Sequence, residues 1–242
     1  MSANSNQQNG GPDEALISYQ QLRMFIGLLG LCLSLMLFLT TFLLNDQFPF
    51  KVSISHYYYS FGHIIFVGTL CIMGGLFGTY RGKRKYENLV SNLCGILAVL
   101  VAVFPTKLEG YGGNMYIHIE NENYKEWFSY VHYASAGLLF ALFSVYCFAF
   151  FPKTDDKPET PEEILKKKRR DIYYRICGFG IILSVLCIGV IAILDISEDT
   201  VSSSIFLTYS TLIFETTSLF FFSTSWLLKS SSVWKIKVPL FR

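Results

Sequence analysis

The side chains best suited to chemistry in this chain are histidines and one glutamate set among apolar residues. His56 and His63 flank the start of one apolar stretch, His132 lies about five residues into another, and Glu215 lies about ten residues into a third. Imidazoles and a carboxylate can exchange protons with a substrate, and together they can also hold a zinc ion. The pattern therefore indicates an acid/base pair of Glu215 and His132, a metal site, or a polar binding site.

The metal hypothesis takes its ligands from three separate parts of the chain. The candidate ligands are His56, His63 and His132, the candidate ion is zinc, and Glu215 would act as the acid/base group. No His-x-x-x-His or His-Glu-x-x-His spacing places two ligands on one helix. Only the fold can bring such ligands together.

The elements that must position these groups are membrane helices. Of the 242 residues, 52% are hydrophobic and only 16% are charged, against about 25% charged in soluble domains. Six apolar blocks approach the roughly 20 residues of a spanning helix. They lie at about 21–44, 61–80, 87–106, 127–151, 172–194 and 205–228. We therefore expect an all-α, integral membrane six-helix bundle at 21–230, preceded by a disordered cytoplasmic tail (1–20) and followed by a cytoplasmic tail (231–242).

The positive charges predict the orientation. Under the positive-inside rule, Lys and Arg collect in cytoplasmic loops. Of the 20 Lys and Arg, 17 fall on one side of the predicted spans, leaving Lys51, Lys107 and Lys125 on the other. Both termini are then cytoplasmic, and we expect a multi-pass protein of the plasma or inner membrane more than of an endomembrane.

The cytoplasmic loop before the fifth span predicts a helix start. Thr160 is suited to the N-cap, Pro161 to the first helical position and Glu163 to closing a capping box. The fifth helix would then carry the basic run EEILKKKRRD outside the bilayer, where it is attracted to anionic lipid. No folded basic module for nucleic acid is visible.

The polar residues of the spans converge on the outer leaflet. Histidines, Thr106 at the end of the third span and Asp195 at the end of the fifth fall in the outer third, with Glu215 beneath them, while the inner half has few polar groups. Buried polar groups in a membrane are costly and mark functional sites. We expect an outward-opening polar pocket that binds lipid, lined by Ser55, His56, Tyr57, Tyr58, Thr106, Ser135 and Asp195.

Several short motifs resemble those of a known group of membrane proteins. The run Ser53–Tyr59, the sequence Phe104-Pro105-Thr106, the pair Val131-His132 and Glu215 resemble a bacterial six-span membrane family of unknown function. More distantly, they resemble the damage-regulated autophagy modulators and related proteins of GPI-anchor remodelling. His56 stands where those families often carry Asp. The resemblance implies a six-helix protein associated with membrane lipid homeostasis, without an established catalytic activity.

A looser similarity links the chain to membrane hydrolases that include the alkaline ceramidases. Those proteins hold zinc with histidines inside a helical bundle, whereas this chain has six predicted spans and no paired histidines on its last one. The alternative to lipid binding is therefore a metal-dependent intramembrane hydrolase of a lipid amide or ester. The sequence leaves open whether the protein is an enzyme, which lipid it meets and whether it forms oligomers.

Overall fold

Six helices form the described part of the protein. The computed structural model describes residues 19–43, 50–82, 84–107, 124–153, 160–193 and 205–230. The helices are α1 (Tyr19–Leu43), α2 (His63–Thr79), α3 (Lys85–Val103), α4 (Trp127–Val145), α5 (Pro161–Ile193) and α6 (Ser210–Lys229). A π turn, Tyr146–Phe150, prolongs α4, and a short helical turn, Ile205–Thr208, precedes α6. No strand occurs in these ranges, so the predicted all-α fold is confirmed.

The length and composition of these helices suit a bilayer. Within the described ranges, four helical segments are long and apolar enough to cross a membrane: Tyr19–Leu43, Tyr86–Val103, Trp127–Phe150 and Pro161–Ile193. The helix His63–Thr79 is apolar but shorter. The last helix carries Glu215 within it and Lys229 at its end, which lowers its hydropathy. The protein is therefore a membrane-embedded helical protein.

The predicted start of α5 is confirmed in detail. The helix begins at Pro161. The Thr160 backbone N–H donates to the Glu163 carboxylate at 3.2 Å, and the Glu163 N–H donates to the Thr160 hydroxyl at 3.3 Å. This reciprocal pair is a capping box, which satisfies two backbone donors that the helix itself leaves free.

The helices pack in chain order and close into a ring. Each of α1 to α5 contacts the helix that follows it, and α6 packs along α1. Because successive helices run in opposite directions, α2, α4 and α6 all begin at the same end of the bundle. We call this end the Ser55 end and the opposite end, where these three helices finish, the Lys229 end.

A close backbone approach joins α2 and α3. A Cβ atom added to Gly95 would lie 2.8 Å from the Gly74 carbonyl oxygen, and one added to Gly74 would lie 3.1 Å from the Gly95 oxygen. Small residues allow such approaches in membrane proteins, where lipid gives no hydrophobic drive for helix association. These two glycines therefore set the spacing of the α2–α3 pair.

The segment between α1 and α2, residues 50–62, closes the Ser55 end of the bundle; we call it the connecting segment. It contains the 3₁₀ helix Ser55–Tyr59. The Tyr57 ring, fully buried, packs 6.3 Å from the ring of Phe38 on α1. The connecting segment also bonds to α3, α4 and α6, as described below.

Some predicted features lie outside the described residues. They are most of the N-terminal tail (1–18), the C-terminal tail (231–242) and Asp195, which was predicted to line the pocket.

Candidate functional site

The connecting segment and α6 satisfy each other's free backbone groups. The Leu212 N–H, in the first turn of α6, donates to the Val52 carbonyl oxygen at 2.9 Å. In return, the Ile54 N–H donates to Oε2 of Glu215 at 2.5 Å. Helix starts have unpaired N–H groups and attract negative charge, so both bonds are favourable. Glu215, singled out in the sequence as a costly membrane carboxylate, thus caps the 3₁₀ helix.

His132 joins this arrangement from α4. Its side chain is 2% exposed. Its Nε2 lies 2.9 Å from the Ser55 hydroxyl, and its Nδ1 lies 2.7 Å from the Phe104 carbonyl oxygen at the end of α3. Ser55 also forms a hydrogen bond with Glu215. Ser55 is therefore the centre of a network, Glu215–Ser55–His132, drawn from the connecting segment and two helices.

The donors and acceptors of this network can be counted. Phe104 O only accepts, so His132 Nδ1 must carry a proton. Ser55 has one hydroxyl proton and can donate it either to His132 Nε2 or to Glu215. In the first case Glu215 is protonated and donates to Ser55; in the second His132 is an imidazolium and Glu215 a carboxylate. The two arrangements have the same net charge and differ by the net transfer of one proton from Glu215 to His132 through the Ser55 hydroxyl, so the geometry suits an acid/base pair.

Thr106 adds an unpaired hydroxyl beside the network. Its backbone oxygen accepts a hydrogen bond from the Tyr59 hydroxyl at 2.5 Å. Burial is the main cause of the raised pKa of Tyr59, so this phenol stays protonated and remains a donor. Thr106 is 1% exposed, yet its Oγ1 has no hydrogen-bond partner in the described residues. Buried hydroxyls are normally bonded, so Thr106 Oγ1 is a polar atom that the described residues leave unsatisfied.

The three histidines predicted as metal ligands have separate hydrogen-bond partners. His56 Nδ1 lies 2.6 Å from the Ser53 hydroxyl, within the connecting segment. His63, the first residue of α2, has its Nδ1 2.8 Å from the Tyr58 carbonyl oxygen of that segment. Both nitrogens of His132 are already hydrogen-bonded. Among the described residues, no group of three His, Cys, Asp or Glu side chains could hold a metal. His56 and His63 thus bond to residues close by in the sequence, whereas His132 bonds to two other parts of the chain.

The remaining predicted pocket residues have separate surroundings. Tyr57 is buried, and its hydroxyl accepts a hydrogen bond from the Lys51 N–H. Tyr58 packs edge-on against His63, with ring centroids 4.5 Å apart. Ser135 is buried three residues after His132 on α4. The structure therefore brings Ser55, His132 and Glu215 together and leaves Tyr57, Tyr58 and Ser135 as neighbouring parts of the scaffold.

Exposed aromatic side chains surround the Ser55 end. Phe50, Phe61, Trp127, Tyr130 and Tyr133 all have outward-facing rings. Aromatic rings of this kind favour the level of lipid headgroups. We therefore expect the Glu215–Ser55–His132 network to lie close to the level of the lipid headgroups.

A second polar network, missed in the sequence, lies at the Lys229 end. Arg23 Nε donates to the Tyr80 hydroxyl at 3.0 Å, and that hydroxyl donates to Oε1 of Glu87 at 2.9 Å. This network adds polar groups at the end where few of them were expected. Arg23 near the start of α1 and Glu87 in the first turn of α3 were the available signal, since ionisable residues near spans usually face the bundle interior.

Comparison of the chain with known protein families, with curated proteins and with solved structures finds no match.

Proposed function

We propose that the protein is a multi-pass membrane protein that binds the polar part of a membrane lipid at its Ser55 end. The observation that carries the proposal is the Glu215–Ser55–His132 network, which joins the connecting segment to α4 and α6 at the level of the exposed aromatic rings. The unpaired Thr106 hydroxyl supplies a free donor and acceptor beside it. A lipid ester or amide offers the matching carbonyl oxygen and, in an amide, an N–H.

The orientation is part of this proposal. The excess of Lys and Arg around the start of α5 and in the α2–α3 connection favours a cytoplasmic location of both termini under the positive-inside rule. The Ser55 end then faces away from the cytoplasm, and the bound lipid comes from the outer leaflet. The resemblance to membrane families associated with lipid homeostasis agrees with this role.

The test compares two matched serine variants. Ser55→Ala removes the central hydroxyl of the network, whereas Ser218→Ala removes a buried hydroxyl on α6 that has no partner within the described residues. Purified protein would be transferred from native membrane to detergent, and retained lipids would be identified by native mass spectrometry. We expect wild type and Ser218→Ala to retain the same lipid and Ser55→Ala to lose it. Equal retention by all three would refute the proposal.

A second candidate function is hydrolysis of a lipid ester or amide, favoured by the Ser55–His132 hydrogen bond. Ser55 Oγ would attack the acyl carbon while His132 Nε2 takes the hydroxyl proton. The imidazolium would return that proton to the leaving alcohol or amine. Water would then release the fatty acid from the acyl-serine, with His132 again accepting and returning a proton. This route differs from the metal-dependent reaction predicted from the sequence, which needs the three histidines as a group of ligands, and no such group occurs among the described residues.

Covalent labelling separates the two candidates. A fluorophosphonate probe reacts with activated serines, so a hydrolase would be labelled at Ser55, and His132→Gln would lose the label. Lipid retention without labelling would support binding alone. Labelling at other serines to the same extent in wild type and His132→Gln would exclude the hydrolase.

A further inference from the structure

The Lys229 end carries positive charges that its acidic groups do not fully balance. Lys229 lies within electrostatic range of Arg23 and Arg170, and also of Glu87 and Asp171. Glu87 accepts a hydrogen bond from the neutral Tyr80 hydroxyl, and Asp171 Oδ2 pairs with a fourth cation, Lys167, at 2.9 Å. The other oxygen of Asp171 has no hydrogen-bond partner in the described residues. Three cations from α1, α5 and α6 therefore lie near each other, and their mutual repulsion is costly without a further anion.

The Lys229 ammonium group lies over two aromatic rings. Its Nζ donates to the Phe151 carbonyl oxygen at 2.7 Å. The same atom lies 5.9 Å from the Phe151 ring centroid and 6.0 Å from that of Tyr174. An ammonium group has three donors, and one carbonyl uses a single one of them. The contacts fix the position of Lys229 while leaving donors free.

Buried donors without acceptors line the same region. Tyr174 is fully buried, its hydroxyl has no hydrogen-bond partner in the described residues, and it too lies within electrostatic range of Arg23 and Arg170. The Nε atom of Arg170 is also buried and has no hydrogen-bond partner in the described residues. Buried polar groups are paired in most proteins, so these two unpaired donors, one of which belongs to one of the three cations, favour a further acceptor with negative charge.

We propose that the Lys229 end binds a phosphate group through Arg23, Arg170, Lys229 and the Tyr174 hydroxyl. Phosphate offers several acceptor oxygens, and Arg and Lys are its usual partners. The three cations are partly exposed, so the group can enter from outside, whereas Tyr174 closes the inner side. A phospholipid headgroup in the adjacent leaflet and a soluble phosphate share this chemistry.

The site is distinct from the Ser55 end. Glu215 and Lys229 lie on the same helix, 14 residues apart, which corresponds to about 21 Å along its axis. Their ligands can therefore be tested separately.

The experiment uses the full chain in nanodiscs of phosphatidylcholine with and without phosphatidate, and measures lipid retention by native mass spectrometry. Lys229→Gln and Arg23→Gln each remove one charge, and Tyr174→Phe removes only the hydroxyl. Lys168→Gln, an equal charge change on the exposed surface of α5, is the matched control. One charge contact near a membrane surface is worth about 1 kcal/mol, so we expect about fivefold weaker phosphatidate retention in the charge variants. Tyr174→Phe should also weaken retention, and Lys168→Gln should not.

A second arm identifies the source of the phosphate. Inorganic phosphate is added to detergent-solubilised protein, and the melting temperature is measured. If phosphate raises the melting temperature of wild type but not of Lys229→Gln, and phosphatidate is not selectively retained, the site binds a soluble phosphate. If Lys229→Gln does not fold, Lys229→Arg, which keeps the charge, and Tyr174→Phe decide the question. Equal phosphatidate retention in every variant overturns the proposal, and so does a loss of retention in Lys168→Gln as large as in Lys229→Gln. The proposal also fails if wild type neither retains phosphatidate selectively nor is stabilised by phosphate.

Discussion

The Ile54 backbone N–H and the Glu215 carboxylate meet at 2.5 Å across 161 residues of sequence. The bond attaches the connecting segment to the last helix and leaves Ser55, the next residue, between Glu215 and His132. One side chain therefore both holds the segment in place and takes part in its proton-sharing network.

Glu215→Ala is expected to destabilise the protein. The Ile54 N–H would lose its acceptor, and an unsatisfied buried donor costs about 1–3 kcal/mol. Glu215→Gln keeps an oxygen that can accept from Ile54 and should cost less. Thermal unfolding of the detergent-solubilised protein would give the order wild type, Gln, Ala. An alanine variant as stable as wild type would show that the bond contributes nothing to folding.

Glu215→Gln is also expected to fix the protonation of His132. The glutamine amide can donate to Ser55 but cannot give up its proton, so Ser55 must donate to His132 Nε2. Nitrogen-15 NMR of histidine-labelled protein should then show a neutral ring with its proton on Nδ1, bonded to Phe104 O. His132→Gln identifies the signal. A doubly protonated ring in Glu215→Gln would contradict the shared-proton network.

Gly95→Ala is expected to separate α2 from α3. The new Cβ would lie 2.8 Å from the Gly74 carbonyl oxygen, a backbone atom that cannot turn aside. Overpacking of this kind costs about 1–3 kcal/mol. Gly137→Ala is the control, because nothing lies within 4 Å of the added atom. Thermal unfolding should show a loss for Gly95→Ala and no loss for Gly137→Ala. Equal melting temperatures would mean that the close approach is not required.

The start of α5 is expected to lose protection in acid. The hydrogen bond and charge of Lys166, 2.7 Å away, lower the pKa of Glu162. A carboxyl with a lowered folded pKa stabilises the helix end above its ordinary pKa, and the effect is lost as the pH falls through the lowered value. Hydrogen exchange of the first turns of α5 should therefore accelerate in that range. Lys166→Gln should abolish the Glu162 contribution, and a pH response identical to wild type would contradict it.

Local sequence patterns determined the helical framework. Apolar blocks of spanning length specified six helices because each must satisfy its own backbone in lipid. The spacing of Thr160, Pro161 and Glu163 specified the start of α5 because a capping box involves only neighbouring residues. Glu215 and His132 were recognised from the sequence as candidate site residues because polar groups in apolar helices are costly wherever they point.

Tertiary structure alone decided the partners of those groups. Ser55 reaches His132 across 77 residues, whereas His56, next to it in the sequence, turns back to Ser53. The approach of Arg23, Tyr80 and Glu87 at the opposite end likewise depends on how α1, α2 and α3 pack. Residue type and helical depth fix which side chains must be buried, but rotation and spacing of the helices fix which of them touch.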